Sequence, residues 1–461
     1  MTDIDLLVGA DYLYPMSENL PIIKEGEVAI VKDRIVYAGP RRPEGTWAAK
    51  RFISGAGKAV LPGLVNCHTH AASLIFRSQT DGPNARGLYE VAFRMEKEVL
   101  DEAWSLTARL GCIDLLRSGV TTINDIWYCP EGLAKAAEET GLRAVIAQKI
   151  FDVKLENLLY NDYTRYPKDG EARLKAGVAF AERWHKGAGG RIIAKMGTHA
   201  TDTCSPELHK AARQEADRLG IGMHIHTAQS EREVAFVNAQ YGCGSLEFLR
   251  DIGLLRSDVV VAHLIHATDR DLDAVLEVDA GYAHCATIYP RLGIFPRLDT
   301  ILKRKVKTGF GTDWMQNDPF EGMRNAMNVI RVKLENAETL PCSEALWYQT
   351  MGSARVLGLD KLIGSLEAGK KADLIGINLD NAHMQPYYGD YSALVYYAKS
   401  SDVEMSVIDG RIVMEGFKLA GVNEGEVLKR VAASLPQWAA QLDGYGGSVV
   451  GGAHFHDACC T

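Results

Sequence analysis

From residue 60 to 360 the chain alternates short apolar runs with longer amphipathic ones, and this alternation limits the folds open to it. The candidate strands are Val60–Val65, Val120–Asn124, Ala144–Ile150, Ile192–Met196, Gly222–His226, Val259–His263, Gly281–His284 and Val306–Asp313. Helical patterns fill most of the gaps, among them Ala103–Arg117, Pro206–Leu219, Ser245–Asp251 and Asp269–Glu277. Eight strands alternating with helices predict an α/β protein built on a (β/α)8 TIM barrel. A doubly wound open sheet would want a glycine-rich phosphate loop after its first strand. Histidines stand there instead.

Both ends of the chain are rich in β patterns. Residues 27–40 read as a hairpin turning at Lys32-Asp33-Arg34; a similar texture returns at 371–378 and at 405–414, with an Asp409-Gly410 turn. Neither end makes a sensible sheet alone, so one small β-sandwich domain built from both chain ends is expected. The resulting division is 1–58 for the first part of the sandwich, 59–362 for the barrel, 363–420 for the rest of the sandwich and 421–461 for a helix and tail. In that last stretch Glu424–Leu435 looks helical, and the glycine-rich run from Gly444 reads as a flexible tail. His454, His456, Cys459 and Cys460 lie in the tail and are given no role.

Composition excludes several classes. A net charge of −8 without a Lys/Arg cluster argues against a nucleic-acid partner. No uninterrupted apolar stretch reaches membrane-spanning length, and the N-terminus carries acids where a secretory signal carries bases. The nine cysteines form no CxxC pair. A reduced, cytoplasmic protein is expected.

Barrel active sites sit at the C-terminal ends of the strands, and there the histidines gather. The first strand ends on His68 and His70, which share a face of an extended chain at i, i+2. The fourth runs into His199, the fifth gives His224 and His226, the sixth ends on His263 with His266 beyond it, and the seventh ends on His284. The eighth ends on Asp313. Eight of thirteen histidines thus fall at strand ends with one carboxylate. Any one of them alone would read as a packing residue; the repetition points to a metal. Catalytic zinc-type sites take imidazole and carboxylate ligands and keep an open position for water, whose pKa falls to about 7. An aspartate beside it can accept the proton.

The landmarks Leu61-Pro-Gly-Leu-Val-Asn-Cys-His-Thr-His70, Ser118-Gly-Val-Thr-Thr-Ile-Asn-Asp125, Thr203-Cys-Ser-Pro-Glu-Leu208, Ala262-His263, Gly311-Thr-Asp313 and residues 364–374 resemble the amidohydrolase superfamily. The closer likeness is to its mononuclear-metal branch of chlorohydrolases and deaminases acting on triazines and adenosine derivatives. The resemblance spans residues 27–417. It implies one divalent metal ion per subunit, zinc with iron as the alternative, held by His68, His70, His226 and Asp313. It implies that His263 polarises the substrate or steadies the hydroxide, and that His199 holds the substrate ring. His284 is expected to line the same pocket, and His224, which points with His226 by periodicity, to be a supporting or structural residue rather than a ligand. Some relatives bridge two metals with a lysine on the fourth strand; Lys195 lies just before the end of that strand, and the mononuclear landmarks argue against this role, while Asp125 is either a supporting partner or a turn cap. The resemblance also implies a homodimer and a small-molecule substrate.

One position departs from the family. Three residues after His226 the family has a proton-shuttling glutamate; this chain has Gln229. Glutamine cannot exchange a proton near neutral pH, and losing a general acid–base costs about 10²–10⁴ in rate. In one reading Asp313 or His263 takes the proton and Gln229 orients the substrate. In another Glu231 or Glu233 replaces the lost carboxylate, and in a third the chain is a non-catalytic metal-binding relic. The expected reaction is displacement of an amino, substituted-amino or chloro group from a carbon of a triazine, pyrimidine or purine-like ring. An amidase-like C–N hydrolase is the rival. Trp314, Tyr289, Met315 and the loops Phe76–Met95 and Asp152–Asp169 are the expected pocket walls.

Overall fold

In the computed structural model, which describes residues 1–17, 21–77 and 92–444, eight successive parallel strands form the wall of a barrel. They are Leu64–His70, Val120–Trp127, Arg143–Ile150, Ile192–Thr198, Met223–Thr227, Val259–His263, Gly281–Cys285 and Thr308–Gly311. Each pairs with its sequence neighbour. Closure comes from a short continuation, Asp313–Trp314, which pairs parallel with Thr69 and His70 of the first strand. Asn66 stitches the break between the two pieces: its Nδ2 donates to Thr312 Oγ1 at 2.7 Å, and its Oδ1 accepts from Thr312 N at 3.1 Å. The eight strands are buried along nearly their whole length, as barrel strands with packing on both faces must be.

The expected single strand Val60–Val65 is two strands. Lys58–Pro62 belongs to the sheet of the chain ends, pairing with Leu374–Asn378, whereas the barrel strand starts at Leu64. Gly63 is the hinge. A Cβ there would lie 2.0 Å from Thr121 Oγ1, so no larger residue fits. Periodicity could not reveal the break, because both pieces are apolar.

The second sheet draws its strands from both ends of the chain, running 418–419, 411–415, 403–408, 374–378, 58–62, 2–13, 23–31 and 34–40, with 47–53 also paired to 2–13. Its core joins Leu6, Val8, Leu13, Val28 and Ile30 from one end to Leu366, Leu374, Met405 and Val407 from the other. The helix expected from Glu424 runs on to Gly444. Arg117, at the end of the 101–117 helix, ties it down through Nε to Glu424 Oε1 at 2.8 Å. The tail from 445, with its histidines and cysteines, lies outside the described residues. Among the described residues no helix is long and apolar enough to cross a membrane, and seven cysteines are free thiols.

Candidate active site

The C-terminal ends of the barrel strands open into one cavity. His70, His199, His226, Gln229, His263, Asp313, Trp314 and Tyr289 line it, together with Phe93, Trp127 and Lys149.

Hydrogen bonding fixes what each imidazole offers. His70 Nδ1 is 2.9 Å from the Ile126 carbonyl, and His226 Nδ1 is 2.5 Å from the His199 carbonyl. A carbonyl only accepts, so both rings carry their proton on Nδ1 and present Nε2 as a lone pair. Those two Nε2 atoms face each other at 3.3 Å. His68 follows the same logic. Asn124 Nδ2 donates toward His224 Nε2 at 3.4 Å, which makes that nitrogen an acceptor. His68 Nδ1, 2.8 Å from it, is therefore the donor. His68 Nε2 is left buried and without a hydrogen-bond partner, 3.3 Å from Asp313 Oδ1, and His70 Nε2 lies at the same distance.

Three lone pairs and a carboxylate oxygen thus converge where no donor satisfies them, an arrangement that costs free energy unless a cation sits among them. His68, His70 and His226 all lie within ligating reach of one another, their nitrogens within 4.8 Å. The donor set fits a divalent ion. Burial lowers His70 to about 4 and His263 to about 3, and holds His226 and His199 well below the ordinary histidine value, so all stay neutral at pH 7.

The backbone is strained at this point. His263 has φ +85° and Asp313 φ +63°, both left-handed for residues with a side chain. Such conformations cost on the order of 1–3 kcal/mol each and persist where the surroundings over-determine them. They turn the ends of the sixth strand and the closing strand inward, placing His263 Nδ1 3.9 Å from Asp313 Oδ2.

Gln229 lies in the cavity wall, on a turn held by Glu233. The carboxylate of Glu233 accepts from Ala228 N at 2.7 Å and from Gln229 N at 2.9 Å. Ser230 caps the helix that follows, accepting from Glu233 N. Neither Glu231 nor Glu233 lines the cavity. The reading in which one of them replaces the shuttle carboxylate has no geometry behind it.

Other expectations resolve individually. His224 stands in a supporting position behind His68. Asp125 caps the turn after the first strand, accepting from Ala71 N at 2.6 Å. His284 is a correction: it does not line the cavity. Its Nδ1 meets the Tyr282 hydroxyl at 2.9 Å, and its ring packs edge-on against Phe295 and Phe310. Strand alternation explains this, since the next residue, Cys285, takes the place facing the site. Met315 is buried behind the wall, its N–H donating to Ser73 Oγ. Residues 152–169 and 266 contribute nothing to the wall, and Lys195 lies outside it. Residues 78–91 of the expected loop lie outside the described residues.

Phe93, in the expected loop Phe76–Met95, lines the cavity, whereas the sequence reading missed Lys149, Glu96 and Trp127. Lys149 Nζ donates to Glu96 Oε2 at 2.8 Å and sits 4.6 Å from the Trp127 ring centre and 4.7 Å from that of Tyr128. The Tyr128 hydroxyl donates to the same Glu96 oxygen at 2.8 Å. Burial pulls the ammonium down from its ordinary value. One signal was available: a lysine next to the C-terminal end of a barrel strand.

A closed parallel barrel with an imidazole–carboxylate donor set at its C-terminal rim defines a metal-dependent barrel hydrolase. Comparison with known proteins agrees. The model of the amidohydrolase family matches residues 59–413. A 5-methylthioadenosine/S-adenosylhomocysteine deaminase of Desulforudis audaxviator is 33% identical over 413 residues, covering 88% of this chain and 93% of that one. A 5'-deoxyadenosine deaminase of Methanosarcina acetivorans is 30% identical over 446 residues, covering 95% and 99%. Among solved structures, a zinc-bound adenosine deaminase from Xanthomonas campestris superposes with a TM-score of 0.86 at 25% identity, covering 96% of this chain and 99% of that one. Atrazine chlorohydrolase from Arthrobacter aurescens shares the fold, with a TM-score of 0.83 at 21% identity over 94% of this chain and 100% of its own. The chain belongs to the amidohydrolase family. It is a hydrolytic enzyme that uses a mononuclear divalent metal and acts on small molecules.

Proposed function

We propose that the enzyme displaces an amino, substituted-amino or chloro group from a carbon of a nitrogen heterocycle, and that His68, His70, His226 and Asp313 hold one zinc ion for the purpose. The observation that carries this reading is the set of three Nε2 lone pairs and Asp313 Oδ1 converging on the floor of an aromatic-walled cavity. The deaminase relatives and the zinc in the Xanthomonas structure support it. When bound, the ion supplies Lewis acidity, lowering the pKa of a water at its open position to about 7.

The remaining work falls to the chain. Trp127, Trp314, Tyr289 and Phe93 offer flat apolar faces for a heterocycle. His199, whose Nδ1 meets Thr203 Oγ1 at 3.0 Å, is held with Nε2 free to meet a ring atom. Asp313 Oδ2 is the nearest carboxylate oxygen to His263, so the proton of the attacking water is shared between those two. Gln229 donates or accepts a hydrogen bond but moves no proton. Leaving groups that need little protonation, chloride or a weakly basic amine, suit such a site best. The same residue favours amidase-like hydrolysis of an activated C–N bond as the second reading.

The test is a panel of aminated, N-alkylated and chlorinated triazines, pyrimidines and purines, followed for ammonia, amine and chloride beside a Gln229→Glu variant. Release of one of these by the native protein is the expected result. Turnover confined to amide substrates would favour the second reading over the first. A cytoplasmic homodimer completes the proposal, supported by the family resemblance and the free thiols; sedimentation at the mass of one chain would remove the dimer.

A further inference from the structure

Cys285 ends the seventh barrel strand. Its Sγ, a ring nitrogen of His68, one of His263 and a carboxylate oxygen of Asp313 all lie within 4.8 Å of one another, and all four residues are buried. This group is offset from that of His68, His70 and His226, and the two share His68. A second observation marks it as a donor set. His263 Nδ1 is buried without a hydrogen-bond partner among the described residues and faces Asp313 Oδ2 at 3.9 Å. Among the described residues the thiol itself makes only a long contact, 3.8 Å to the Ala283 carbonyl. Asp313 can serve both groups in turn, because Oδ1 faces His68 and His70 while Oδ2 faces His263.

We propose that the cleft contains a second, sulfur-containing donor set, Cys285, His263, Asp313 and His68, which captures a thiophilic divalent cation such as Cd²⁺ and so inhibits the enzyme. Thiolate selects soft cations where imidazole and carboxylate alone do not. His68 has one ring nitrogen to give, since Nδ1 is engaged by His224. The two sets therefore compete for His68, and an ion held at sulfur withdraws that histidine from the three-histidine set. Capture forms a metal–sulfur bond and breaks the S–H bond; the proton passes to solvent and no electrons change hands. The inference rests on the metal-dependent reading above.

Metal-free full-length protein, titrated with Cd²⁺ and followed by ultraviolet absorption, tests it. The expected result is a sulfur-to-cadmium charge-transfer band that saturates in the native protein and in a Cys67→Ala control but is absent in Cys285→Ala. Cadmium affinity should weaken at least about tenfold in that variant. Cys285→Ser, nearly the same shape, should also lose the band, which keeps the test sound if alanine impairs folding. Cadmium uptake by the native protein without a sulfur band, or a band that survives in both Cys285 variants, overturns the inference and leaves the metal-dependent reading standing. No uptake at all overturns both.

Discussion

Arg143 and Lys149 lie on one barrel strand, Arg143–Ile150, and their surroundings differ sharply. At the N-terminal end Arg143 is fully paired: Nε donates to Asp373 Oδ2 at 2.8 Å, and Nη2 to Asp373 Oδ1 at 3.0 Å and Asp409 Oδ1 at 3.3 Å. Asp409 N in turn donates to Asp373 Oδ1 at 2.7 Å. This cluster locks the barrel to the sheet of the chain ends. At the C-terminal end Lys149 faces a cavity in which His68 Nε2, His263 Nδ1, Trp127 Nε1 and Trp314 Nε1 have no hydrogen-bond partners among the described residues. The paired carboxylates around Arg143 serve stability, whereas the unpaired ring nitrogens at the rim stand where barrel sites bind their ligands.

The comparison is sharpest where ligands are removed. His226→Ala should lose both metal and activity, measured as ions per chain and turnover. A variant that kept full metal occupancy would remove His226 from the ligand set. Arg143→Ala should break the other end instead. Removing one partner of a buried ion pair costs about 3–5 kcal/mol, read as a lowered urea midpoint, while the folded fraction keeps its kcat/KM. A loss of kcat/KM in fully folded protein would mean that the two ends are not separable.

Gln229→Glu tests the cavity more finely. A restored shuttle should raise deamination relative to dechlorination, by at most about 10²–10⁴. Equal effects on both substrates would show that Gln229 does not decide the leaving group. The last test concerns Glu233. Burial and the neighbouring Asp202 push its carboxyl up to about 8 from an ordinary 4.5. The folded state thus holds this proton more tightly than the unfolded one. The stability it contributes is full below about pH 4.5 and is lost as pH rises through about 8. Native protein should lose stability over that window more steeply than Glu233→Gln, in urea midpoints measured across pH. Parallel curves would show that Glu233 does not carry the difference.

Much of this was legible in the sequence. His68, His70, His226, His263 and Asp313 could be found because strand periodicity places them at the rim, and repetition at strand ends is hard to produce by packing alone. The barrel was legible for the same reason. The break at Gly63 was not, because the strand on each side is apolar and only the contact with Thr121 demands it. Lys149 was visible as a charge near a strand end, but its role depends on its pairing with Glu96, more than fifty residues earlier. His284 misled because its place at a strand end suggested a pocket residue, whereas the strand gives the place beside His68, His263 and Asp313 to Cys285. Glu233 suggested a replacement base by proximity in sequence; only its bonds to Ala228 and Gln229 show that it supports the turn.

The most direct test of the account is metal content measured beside turnover on the same samples, as purified, after chelation and after reloading with zinc. The account predicts one ion per chain in the active protein, activity falling in proportion as the ion is removed, and recovery on reloading. Undiminished hydrolysis by fully metal-free protein would contradict it.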